Sequence, residues 1–94
     1  MNEPIFKTQQ RLETLLSPVK LRILHFLYTH PDEICASDIC KMHNMPKNLL
    51  SYHIKGLLKN GFVSETKNGK FRHYEIAKKE FDRVEQLLQL FEYV

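Results

Sequence analysis

The sequence predicts a mainly α fold with one small β-hairpin, in the order α-α-α-α-β-β-α. Three observations carry this reading. Apolar residues recur at helical spacing over residues 5–16, 18–29, 46–60 and 78–93. Asn68-Gly69 sits between two β-rich runs, Phe62 to Thr66 and Phe71 to Ile76, the strongest short hairpin signal there is. Asn60-Gly61 stops the helical pattern just before the first of those runs, because glycine takes the left-handed cap conformation freely.

Residues 5–16 (IFKTQQRLETLL) place Ile5, Leu12, Leu15 and Leu16 on one side of a first helix. Ser17-Pro18 reads as a cap followed by a first-turn proline, opening a second helix over 18–29. That helix carries Leu21, Ile23, Leu24, Phe26 and Leu27 around much of its circumference, so it is the expected central core helix. His25 within it reads as a core or surface histidine rather than a ligand. His30-Pro31-Asp32 is a loop, and Ile34-Cys35 is too short to assign, although an extended segment there would pair with the hairpin. Ser37 reads as the N-cap of a short helix, Asp38 to His43, with Asp38 suited to the helix dipole. Asn44 follows, a residue that tolerates the left-handed conformation of a tight turn.

Pro46 suits the first turn of the next helix, 46–60, since its missing N–H would be unpaired there anyway. Leu50, Ile54, Leu57 and Leu58 form its apolar face; Lys47, Asn48, Ser51, Tyr52, Lys55 and Lys59 form the opposite one. A short helix, a tight turn and a second helix make a helix-turn-helix, and the hairpin 62–76 behind it makes a wing. In residues 78–93 (KKEFDRVEQLLQLFEY), Phe81, Val84, Leu88 and Phe91 recur at spacings of 3, 4 and 3, a helix-packing seam widened by Leu87 and Leu90. In so small a chain this terminal helix and residues 5–16 are expected to join a second subunit. Leu12, Leu15, Phe81, Val84, Leu88 and Phe91 would then lie at a two-fold interface. Intramolecular packing alone is the alternative, because helix bundles use the same stripe.

Composition sets the bounds. The 94 residues make one domain, 1–94, with a core just adequate for a chain standing alone. At 43% hydrophobic and 27% charged the chain is globular rather than disordered. No run approaches a membrane span and MNEPIFKTQQ has no signal-peptide character, so the expected location is cytoplasmic, with no membrane partner. Two cysteines without a secretion signal suggest thiols rather than a disulfide. The net charge is only +3, yet residues 46–73 hold Lys47, Lys55, Lys59, Lys67, Lys70 and Arg72 against Glu65 alone. Positive charge therefore coincides with the reading helix and wing, as a phosphate-contacting surface requires. Catalysis is excluded on motif grounds: there is no glycine-rich phosphate loop, no nucleophile elbow and no histidine pair at helical metal spacing.

The element order, with LLSPVKLRILHFL (15–27), EICASDIC (33–40), LLSYHIKGLLKNGFV (49–63) and NGKFRHYEI (68–76), resembles the ArsR/SmtB family of small dimeric winged-helix repressors. The resemblance implies a symmetric homodimer on double-stranded DNA, with the 46–60 helix of each subunit in a major groove and the wing along the flanking backbone or minor groove. It also implies release of DNA when a metal ion, metalloid or oxidant is sensed. Carried over by position, Lys47, Asn48, Ser51 and Tyr52 would face base edges, with Lys55 beside them. Ser51 and His53 match the family's S-x-H signature, and His53, beside the apolar face, would pack or make one phosphate contact. Lys67, Lys70 and Arg72 would be wing phosphate contacts, which position without reading sequence; Tyr74 would be core. Chemically, Asn48 suits adenine, and Lys47 or Lys55 suits guanine.

In the family's arsenic and cadmium sensors, the segment written here EICASDIC holds a Cys-x-Cys pair, sometimes with a third cysteine. This chain keeps Cys35 and Cys40 but has Ser37 at the middle position. Thiolates suit a soft metalloid, yet on one ideal helix a separation of five would set them about 140° apart. They would converge only if Cys35 precedes the helix. Cys40-x-x-His43 is a conceivable half-site, and a buried packing role for Cys40 is the plain alternative. Residues 77–94 contain no histidine, so the family's terminal-helix zinc or nickel site is expected to be absent. No cofactor is required, and a metalloid or metal ion enters only as an effector. The competing readings are a DNA-binding protein that senses nothing and a winged helix used for protein contact. The polar, basic reading face argues against the second.

Overall fold

The computed structural model describes residues 17–32 and 34–91. The expected helix over 5–16, with Leu12 and Leu15, lies outside them. Helix α1, Pro18–Thr29, starts as its sequence dictates: Pro18 stands in the first turn, and the Ser17 hydroxyl accepts from the Lys20 N–H at 3.4 Å. Leu21, Ile23, Leu24, Phe26 and Leu27 are all buried. Pro31 cannot continue the helix, and the Thr29 hydroxyl meets the His25 and Phe26 carbonyls at 3.0 and 3.1 Å.

Strand β1, Ile34–Cys35, runs straight into helix α2, Ala36–Met42. The N-cap is therefore Cys35, in extended conformation and without a side-chain cap bond, not Ser37, which lies in the first turn. The sheet is the reason, because pairing holds Cys35 extended up to the residue where the helix begins. Helix α3 is Lys47–Lys59, with Pro46 as an extended N-cap one position earlier than the first-turn place expected of it. Met45 before that cap and Leu50 in the second turn are both buried in the same cluster, the arrangement of a hydrophobic staple.

One motif closes both helices. After α3 the Phe62 N–H reaches the Leu57 carbonyl at 3.0 Å and the Gly61 N–H reaches Leu58 at 3.1 Å, with Gly61 at φ +81°. After α2 the Met45 N–H reaches Cys40 at 2.9 Å and the Asn44 N–H reaches Lys41 at 3.3 Å, with Asn44 at φ +49°. These are Schellman caps, made by glycine in one place and by asparagine in the other. The second is the turn of the helix-turn-helix.

Strands β2, Val63–Asn68, and β3, Phe71–Ile76, pair antiparallel, and β1 adds to the far side of β3, giving the order β1-β3-β2. Asn68 pairs with Phe71, so the connecting turn is Gly69-Lys70 rather than Asn68-Gly69. Gly69 has φ +64° and Lys70 is not among the positive-φ residues. This is the type II′ pattern, in which glycine takes the first central position. β2 consequently runs two residues beyond Thr66.

A short 3₁₀ turn, Lys78–Glu80, precedes helix α4, Phe81–Leu90, which starts three residues later than its sequence pattern suggested. The core gathers side chains from α1, α2, α3 and β3 together with Val84 and Leu88 of α4. Those two residues, expected at a subunit seam, are 1% and 0% exposed inside the chain's own core. The 3-4-3 spacing is used first to seat α4 on α1. Phe81 is partly buried and stacks on Tyr28 at 5.1 Å, and the Tyr28 hydroxyl donates to Glu85 at 2.6 Å. Only the C-terminal end of the stripe stays open, with Leu90 75% and Phe91 40% exposed.

Candidate nucleic-acid interface

Helix α3 buries Leu50, Ile54 and Leu57, which fixes its rotation and leaves Lys47, Asn48, Ser51, Tyr52 and Lys55 exposed. The hairpin leans past its N-terminal half. Between them opens a cleft of about 730 Å³ whose walls carry Lys47, Asn48, Ser51, Lys70 and Arg72, with Leu50 and Tyr74 also contributing. Five of the sequence-predicted contact residues are thus brought to one concavity. Tyr52 and Lys55 lie further along the exposed helix face, and Lys67 is exposed on β2.

The hairpin sets Lys67 directly opposite Arg72. Like charges facing across a ladder are unfavourable, and among the described residues only Arg72 of the two has an anionic neighbour, Glu65 at 3.6 Å. The folded chain therefore carries a cation pair whose repulsion an external anion would relieve. Tyr74 is 4% exposed, as a core residue should be. Its hydroxyl pKa is raised by burial and by its hydrogen bond to Glu65, with Arg72 acting in the opposite direction.

His53 turns inward. Its Nδ1 lies 3.2 Å from the Lys20 ammonium of α1, and the same ammonium stands 5.3 Å from the centre of the Tyr52 ring. Burial, and after it the Lys20 charge, lowers the His53 pKa, so the imidazole is held neutral and accepts from lysine. Lys20 also passes over Gly56: a Cβ there would come within 2.7 Å of Lys20 Cε. No sequence signal marked Lys20, because its partners lie more than thirty positions away on another helix. Leu49, 40% exposed, also escaped notice. Its phase one turn before Tyr52 and His53 was the available clue.

Cys35 and Cys40 are free thiols, both half-buried. Cys35 precedes α2, and the two thiols line one cleft of about 550 Å³ between α2 and the hairpin. Cys35 Sγ lies 3.3 Å from Ser37 Oγ. His43 is elsewhere: it is edge-on to Phe26 at 5.2 Å, its Nε2 is buried without a partner, and burial followed by the Arg22 charge lowers its pKa. His43 is thus not among the residues that line the cleft with Cys40. Among the described residues no group of three His, Cys, Asp or Glu side chains is placed to hold a metal ion. Nor is any helix among them long and apolar enough to cross a membrane.

Comparison with known proteins agrees with this geometry. The arsenical resistance operon repressor of Staphylococcus xylosus is 32% identical over 79 residues, 84% of this chain and 74% of that protein. The cadmium resistance transcriptional regulatory protein CadC of Listeria innocua is 37% identical over 57 residues, 61% of this chain but only 47% of that protein's length. HlyU from Vibrio cholerae superposes with a TM-score of 0.78 at 21% identity, covering 97% of this chain and 98% of that one. A homodimeric winged helix-turn-helix DNA-binding domain from Mycobacterium bovis gives 0.78 at 20% identity, covering 97% and 89%. These structures share the fold. The model of the bacterial regulatory protein arsR family matches residues 17–65, from the cap of α1 through the helix-turn-helix into β2. The chain belongs to that family: it is a winged helix-turn-helix, DNA-binding transcriptional regulator, and not an enzyme.

Proposed function

We propose that the chain is a dimeric, sequence-specific repressor that reads a pseudo-palindromic operator with α3 and the hairpin. The observation that carries this is the cleft between them, walled by Lys47, Asn48, Ser51, Lys70 and Arg72. A phosphate backbone entering it would meet the cations, while the exposed face of α3 lies in the major groove. Lys47, Asn48, Ser51, Tyr52 and Lys55 read or flank the bases; Lys67, Lys70 and Arg72 hold the backbone. His53, neutral and tied to Lys20, contributes packing and at most one neutral hydrogen bond. The exposed Leu90 and Phe91, with Phe81 and the segment carrying Leu12 and Leu15, supply the dimer contact. The homodimeric state of the Mycobacterium bovis domain supports that assembly.

A thiol-directed signal, either a metalloid or metal ion or an oxidant, acts at Cys35 and Cys40. Their shared cleft and the arsenical and cadmium resistance roles of the relatives support this reading. Ser37 at the position of the family's middle cysteine leaves two thiols and favours a second reading, constitutive DNA binding without an effector.

Selection from a random duplex pool tests the function. An enriched pseudo-palindrome with half-sites about one helical turn apart, or a multiple of it, is expected. The salt slope should be near −5 or steeper, for roughly six or more phosphate contacts. Asn48→Ala should relax preference at one position by roughly 1–3 kcal/mol; unchanged preference removes Asn48 from base reading. Arsenite, cadmium or peroxide, tested against Cys35→Ser on that operator, then separates sensor from constitutive binder. Absence of any enriched sequence, with weak binding at every salt concentration, would end the DNA reading itself.

A further inference from the structure

The cleft that holds the thiols is not the cleft beside the reading helix. It lies between α2 and the hairpin, and it adds Lys41 and Phe71 to a wall shared through Lys47, Lys70 and Arg72. Its volume, about 550 Å³, falls within the range of small-molecule sites. Four cations line it; among the described residues no carboxylate does, and only Arg72 of the four has an ion-pair partner. Its surface is nevertheless more apolar than polar, whereas the α3–hairpin cleft is close to evenly divided. Its apolar lining residues include Ala36, the two cysteines with their polarisable sulfurs, and Phe71, which is 55% exposed at the start of β3. A phosphodiester backbone has no use for that combination. A flat apolar body bearing one anionic group satisfies both halves of it: the ring packs against Phe71 and sulfur, and the charge lies among the lysines.

We infer that the α2–hairpin cleft is a binding site for a small planar organic anion, an aromatic carboxylate in chemical class, which competes with DNA for Lys47, Lys70 and Arg72. The competition rests on the DNA-binding reading above; occupancy of the cleft does not. An anion seated there neutralises charge that the operator backbone needs and props the hairpin against α2.

The probe is 2-naphthoate, titrated into the full chain and followed by backbone amide NMR. Naphthalene serves as the uncharged body and inorganic phosphate as the bodiless charge. Saturable shifts clustered at Ala36, Ser37, Lys41 and Phe71 are expected for 2-naphthoate alone. Lys41→Gln and Phe71→Ala, which lie outside the DNA-contact set, should each weaken it about threefold to fivefold. In a fluorescence-anisotropy assay with a labelled duplex, 2-naphthoate should displace DNA from the wild type. Both variants should keep DNA affinity within roughly twofold yet resist displacement. Equal shifts from phosphate would make the cleft a seat for backbone phosphate, and shifts scattered elsewhere or absent would empty it; either result overturns the inference. A chain that binds no duplex at all would instead overturn the DNA reading, while the NMR titration still judges the cleft.

Discussion

Replacing Gly56 by alanine separates the role of Lys20 from the stability of the fold. The new Cβ would stand 2.7 Å from Lys20 Cε, too close to persist, with Nζ at an ordinary 3.7 Å. The obstructing atoms are the far end of a flexible side chain, so lysine swings away and α3 need not move. Two contacts go with it: the bond to His53 Nδ1 at 3.2 Å and the position over Tyr52 at 5.3 Å. Each is partly solvated and worth about 0.5–1 kcal/mol. Alanine in a helix interior gains about 0.5–1 kcal/mol over glycine. The unfolding free energy should therefore fall by about 0 to 1.5 kcal/mol, read as a urea midpoint. The His53 titration must respond, however. Burial remains and keeps its pKa low, but the displaced charge no longer does, so the pKa should rise part of the way back in an NMR titration of the ring. Lys20→Met should produce the same rise, and the double variant no more than either single one. An unmoved His53 titration, or a stability loss beyond about 2 kcal/mol, would refute this reasoning, since the latter means that α3 itself was displaced.

Further outcomes follow from burial, backbone and charge. Leu88→Ala, at a side chain 0% exposed, should cost about 2–5 kcal/mol in urea. Leu90→Ser, at 75% exposure, should change stability by less than about 0.5 kcal/mol yet weaken self-association in sedimentation velocity. Gly61→Ala places a Cβ at φ +81° and should cost about 1–2 kcal/mol, whereas Asn44→Gly at φ +49° should lose nothing; paired thermal melts decide both. His43 and His53 have lowered pKa values in the fold, so the unfolded chain binds protons more readily between those values and the ordinary one near about 6.5. Stability should then fall as pH drops through about 6.5 and level off below the folded pKa values, a profile that His43→Gln should flatten.

The sequence made the architecture legible because each element carried its own punctuation. Ser17-Pro18, Asn44, Asn60-Gly61 and Asn68-Gly69 act over a few residues, and local chemistry survives into the fold. What it misplaced depended on neighbours. The Ser37 cap yielded to Cys35 because β1 pairs with a strand nearly forty positions away. The Asn-Gly turn slipped by one residue because the ladder runs to Asn68 and Phe71. Val84 and Leu88 looked like a subunit seam because a period of 3.5 reports that a helix packs, not on what. In the interface, helical phase was enough to expose Lys47, Asn48, Ser51, Tyr52 and Lys55. The tie from Lys20 to His53 and the place of Phe71 in the thiol cleft needed three dimensions.

Cys35 does two jobs at one residue. It is the last rung of the edge strand, opposite His73 of the hairpin, and it is the N-cap from which the first helix of the DNA-reading motif springs. The described edge strand, Ile34–Cys35, is two residues long, so its grip on the hairpin is short, and at Cys35 the sheet passes directly into the helix. A substituent on that sulfur larger than a proton therefore meets a joint rather than a wall. Turning the joint would move the wing and the helix-turn-helix together, and so change the spacing between the two surfaces proposed above to meet one duplex.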